Sequence, residues 1–106
     1  MGARLLHRMG FSGGSYEDVA RWLHNFLVSH AKREQLKAEV DFESGDEREG
    51  KGYAARFRIG DLVSDPVEFD YRTVAEHRGE LAWCRELAER TRRLVRELAR
   101  SVVRPA

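Results

Sequence analysis

Hydrophobic spacing changes period twice along this 106-residue chain, and that switch limits the folds open to it more than any other feature. Val19, Trp22, Leu23, Phe26, Leu27 and Ala31 recur at intervals of three and four, the spacing of one face of an α-helix. From Leu36 the interval becomes two. Leu36, Ala38, Val40 and Phe42 alternate with Lys37, Glu39, Asp41 and Glu43, as in a half-buried strand. Tyr53, Ala55, Phe57 and Ile59 repeat that pattern against Ala54, Arg56 and Arg58. The longer interval then returns in Val74, Leu81, Cys84, Ala88, Thr91, Val95, Leu98 and Val102, widened by Leu87 and Leu94. Side chains repeat every 3.6 residues around a helix and every two along a strand, so the order must be helix, strands, helix.

Local signals set the boundaries. Ser15 followed by Asp18 approximates a capping box, and Lys32 and Arg33 suit the negative end of a helix dipole, which predicts a first helix over 15–32. Gly60-Asp61 fits a two-residue hairpin turn. A third strand within Leu62–Tyr71 is irregular, because Leu62 and Val67 cannot face the same way in an unbroken strand. Pro66 at the slip marks a bulge on an edge strand. Thr73 with Glu76 forms a second capping box and opens a long helix from about Val74 to about Arg100. These elements predict an α+β fold, a two-layer α-β-β-β-α sandwich. A three-stranded antiparallel meander carries two helices on one face. One domain covers 15–106, behind a flexible Gly-rich lead-in over 1–14.

Charged residues form 35% and apolar residues 42% of the chain, enough apolar material for one core, and the net charge of +1 excludes a chain basic or acidic throughout. Neutrality is nevertheless a sum of opposites: residues 1–33 carry +3, 34–70 carry −6 and 71–106 carry +4. No apolar run approaches the roughly 20 residues that cross a bilayer, so no membrane association is expected. The first nine residues hold no apolar stretch of the length a secretory signal uses, and a cytoplasmic location is expected. Cys84 is the single cysteine, so no internal disulfide can form.

Catalytic patterns are weak. Gly10-Phe11-Ser12-Gly13-Gly14 matches G-x-S-x-G, but no strong strand precedes it and the chain is too short for the hydrolase fold that uses this motif. His7, His24, His30 and His77 form no H-x-x-x-H pair, and Cys84 falls on an apolar stripe, where a thiol behaves as a small core residue. No catalytic, cofactor or metal site is expected.

The α-β-β-β-α order over 15–100 resembles that of double-stranded RNA-binding domains and, with an N-terminal strand, that of ribosome hibernation factors. The resemblance implies RNA binding through basic residues at the start of the last helix and through the loop between the first two strands. Here that helix opens Thr73-Val74-Ala75-Glu76-His77-Arg78-Gly79-Glu80, and the loop carries Asp46, Glu47 and Glu49. Both departures weigh against that mode.

Two binding surfaces remain, both on the last helix. Its expected length, about 40 Å, exceeds the roughly 26 Å of an eight-residue strand, yet its apolar stripe continues. The helix should therefore overhang its sheet and meet a second copy through Trp83, Leu94, Val95, Leu98 and Val102, giving a homodimer, with Gly79 admitting a close neighbour. The alternative is an RNA- or ribosome-associated protein that binds a polyanion through Arg90, Arg92, Arg93, Arg96 and Arg100. Glu86 with Arg90 and Glu89 with Arg93 have the i,i+4 spacing of intrahelical ion pairs. On the sheet, Arg56 and Arg58 should form a charge ladder with acids on both neighbouring strands.

Overall fold

The structure, a computed structural model, describes residues 14–103. Helix α1 (Tyr16–Glu34) starts where expected: the Ser15 hydroxyl accepts the Asp18 amide at 3.1 Å, and Glu17 and Asp18 occupy the first turn. At the other end Lys32 donates to the carbonyls of Leu36 (3.2 Å) and Ala38 (2.9 Å), which ties the helix end to the segment leading into β1 (Glu39–Glu43). A short 3-10 turn over Gly45–Arg48 follows, and then the eight-residue β2 (Gly52–Ile59). Gly60, at φ +60°, makes the tight turn into β3 (Leu62–Val63). Strand β4 (Val67–Asp70) runs directly into α2 (Tyr71–His77), and α3 (Leu81–Val103) completes the described chain.

The sheet is antiparallel with β2 at its centre. It pairs β1 along one side, Val40 opposite Phe57, and β3 and β4 in succession along the other. The expected third strand is thus present but broken, as the slip at Pro66 implied. Ser64 bridges the break: its amide donates to the Phe57 carbonyl (2.8 Å) and its hydroxyl accepts the Phe57 amide (2.9 Å). Gly52, at the start of β2, lies so near β4 that a Cβ there would sit 2.6 Å from the Phe69 carbonyl oxygen.

Tyr53, Ala55, Phe57 and Ile59 face one side of β2 and are buried beneath the helices, together with Val19, Leu23, Leu27 and Ala31 of α1 and Leu87, Thr91 and Val95 of α3. Trp22 meets Trp83 near one end of the helix pair, with ring centroids 6.4 Å apart, and Glu34 meets Arg92 and Arg96 near the other, so α1 and α3 run parallel. Three tyrosines knot the loops to this core. Tyr16 donates to the Gly52 carbonyl (2.6 Å) and accepts the Gly45 amide (2.8 Å), Tyr53 donates to the Tyr16 carbonyl (2.9 Å), and Tyr71 donates to the Gly14 carbonyl (2.6 Å). Burial raises the Tyr53 phenol pKa far above its ordinary value and keeps it a donor.

Three expectations for the last helix change. The last helix is two helices, and the cap is Asp70, whose carboxylate accepts the Thr73 amide (3.1 Å) and hydroxyl (3.2 Å); the Thr73–Glu76 box is not the start. Gly79 stands in the break between α2 and α3, and a Cβ there would meet nothing within 4 Å, so it makes a corner and not a close approach. The overhang is also smaller than expected. The stripe of α3 stays on its own core through Leu94, Val95, Leu98 and Ala99.

The face of the sheet away from the helices is charged. Arg58 pairs with Glu39 (2.7 Å) and Asp41 (3.2 Å), and its hydrogen bond holds the Asp41 carboxyl below the usual range. On the β4 side the acids do not face the β2 arginines: Glu68 lies opposite Ala54 and is paired by Arg48, which also reaches Glu43 (3.6 Å). Glu43 and Glu68 flank Ala54 in the register, and Ala54 is buried although it lies on the charged face.

Candidate interaction surface

A groove runs between α3 and the outer side of β4, which among the described residues pairs with β2 along its other side only. Its upper part, about 530 Å³, has Phe69, Val74, Trp83 and Leu87 as apolar lining and Glu68, Asp70, Glu86, Glu89, Arg90 and Arg93 around them. Its lower part, about 390 Å³, lies against Ser64–Val67 and is lined by Leu94 and Leu98, with Arg90 at the junction of the two.

The groove brings together three of the five residues expected at a contact. Trp83, Leu94 and Leu98 are half-buried and line it. Trp83 is also held from within the protomer, its ring 6.1 Å from that of His77. Val95 is fully buried in the core and presents no surface to a partner. The side chain of Val102 lies outside the described residues. Leu81, at 72% exposure, is the one exposed large apolar side chain among the described residues of α3; the stripe marked it only as one apolar position among many.

The five arginines of the alternative reading separate onto two flanks. Arg96 binds Glu34 through two nitrogens (3.0 and 3.2 Å) and Arg92 joins it at 3.4 Å, turning both towards α1. These hydrogen bonds, that from Arg96 foremost, hold the Glu34 carboxyl below the ordinary range. Arg90 and Arg93 line the groove on the other flank, and Arg100 is exposed. Sequence spacing could not show that one flank is engaged, because its partner Glu34 lies 58 and 62 positions away on α1.

The four groove charges of α3 stand differently. Glu86, Glu89, Arg90 and Arg93 are exposed, and none of them forms an ion pair within 4.0 Å among the described residues. The i,i+4 pairs that their spacing allows are not made.

The reactive side chains offer little chemistry. Cys84 donates its thiol to the Arg78 carbonyl (3.2 Å), and burial followed by Glu80 raises its pKa, so the thiolate is disfavoured. His30 has a buried Nδ1 with no hydrogen-bond partner among the described residues, and burial, then Arg33 and Arg92, lower its pKa and favour the neutral ring. Among the described residues no three His, Cys, Asp or Glu side chains are grouped to hold a metal ion. Ser12 and the glycines before Gly14 lie outside the described residues. No described helix is long and apolar enough to cross a membrane. The chain matches no family model, no curated protein and no solved structure.

Proposed function

We propose that this protein is a small, non-catalytic interaction domain that self-associates as a homodimer through the groove-facing side of α3. The observation that carries the reading is the coincidence, in one groove, of half-buried Trp83, Leu94 and Leu98 with a strand edge that has no strand partner and four charges that have no ion pair among the described residues. A second copy is the favoured occupant because the charges of α3, Glu86 and Glu89 followed by Arg90 and Arg93, complement their own reversed order. The polyanion reading has less support, since two of its five arginines are engaged by Glu34. Carboxylates also stand among those in the groove. Light scattering on the wild type and on Leu94→Glu at tens of micromolar separates these outcomes. Self-association predicts a dimer that the substitution converts to monomer with an unchanged far-ultraviolet dichroism spectrum. A wild type that stays monomeric, or a variant that stays dimeric, contradicts it.

A further inference from the structure

The geometry of that association can be taken further, and resting on the reading above we infer that two copies pack antiparallel along α3, about a twofold axis passing between Glu89 and Arg90. The sequence Glu86-x-x-Glu89-Arg90-x-x-Arg93 carries charges in the order minus, minus, plus, plus. Reversing the direction of such a segment exchanges its signs. An antiparallel copy centred on its midpoint therefore sets Glu86 against the partner's Arg93 and Glu89 against the partner's Arg90, and the twofold repeats both pairs. A parallel, in-register copy would oppose each charge with its like.

Helical geometry supports the same seam. At about 100° per residue, the four side chains fall within an arc of about 100° on α3. Thr91 and Val95, which are buried in the protomer, lie on the opposite side of the helix, and buried Leu87 lies between the two, lining the groove. The same twofold places exposed Ala82 opposite the partner's Glu97, a small side chain where two helices must approach. Along one flank of the seam runs the groove, where Trp83 and Leu94 supply apolar surface to be covered. An isologous contact of this kind closes at two copies and leaves the charged sheet face outside it.

Three charge variants test the arrangement, all at exposed positions that form no ion pair among the described residues, with dichroism to show that each is folded. Glu86→Arg with Glu89→Arg, and Arg90→Glu with Arg93→Glu, should each weaken self-association by about tenfold or more, and an equimolar mixture of the two should restore it. The fourfold exchange Glu86→Arg, Glu89→Arg, Arg90→Glu, Arg93→Glu reads plus, plus, minus, minus. It should dimerise with itself as the wild type does and fail to form heterodimers with the wild type. Heterodimers between the fourfold variant and the wild type would point to parallel packing and overturn the inference. A wild-type dimer indifferent to all three variants would overturn this geometry while leaving self-association standing, and a monomeric wild type would remove both.

Discussion

Leu94 and Val95 are adjacent in sequence and both reach the core, but only Leu94 also opens onto the groove, so a core substitution at Val95 separates packing from association. Val95 is 0% exposed, among residues of all three helices and the sheet. Val95→Ala removes two methyl groups from a site that relaxes only partly, a loss of about 2–3 kcal/mol. The better helix propensity of alanine returns about 0.5 kcal/mol, leaving a net destabilisation of about 2 kcal/mol. With a urea slope of about 1.3 kcal/mol per molar for a domain this small, the unfolding midpoint should fall by about 1.5 M. Urea titrations at two protein concentrations measure it. The expected drop is the same at both and leaves the dimer–monomer equilibrium of the folded protein unchanged. A midpoint shift below about 0.4 M, equivalent to about 0.5 kcal/mol, would refute the placement of Val95 in the protomer core.

Two further outcomes test the rest of the fold. Tyr16→Phe strands the Gly52 carbonyl and the Gly45 amide, both bonded to its hydroxyl, and should cost about 2 kcal/mol in the same titration. Glu34 has a folded pKa held below its unfolded one by Arg96 and Arg92, so its contribution is present above the ordinary carboxylate range and is lost as pH falls through the lower folded value. Wild-type stability should therefore fall more steeply below about pH 4.3 than that of Glu34→Gln, as read from urea midpoints between pH 3 and pH 7.

The parts of this fold that follow from neighbours in sequence were readable there. The cap at Ser15, the face of α1, the pleat of β2 and the break at Pro66 all depend on residues within one or two turns or pleats of each other. The boundary at Asp70 was harder, because one residue both ends a strand and caps a helix, with no loop between them to mark the change. Gly79 suggests a contact from sequence because a glycine within a continued stripe looks the same whether the helix bends or a neighbour approaches. The ties of Tyr16 to Gly52 and Tyr71 to Gly14 join positions 36 and 57 apart, and no local period encodes them.

The candidate surface was legible in part, for a related reason. Periodicity located Trp83, Leu94 and Leu98 on an apolar side of the last helix, but a stripe does not say where the protomer's own core stops. The core reaches further than helix length alone suggested and takes in Val95. The alternation of Glu86, Glu89, Arg90 and Arg93 was visible as i,i+4 spacing within one helix. Its meaning changed once the structure showed those pairs unmade and all four side chains on a groove.

Sedimentation equilibrium of the wild-type protein, from about one to about one hundred micromolar, tests the central claim most directly. Self-association predicts an apparent mass that rises with concentration towards twice 12.2 kDa and stops there, as a closed twofold contact requires. A mass fixed at 12.2 kDa across the range would contradict it.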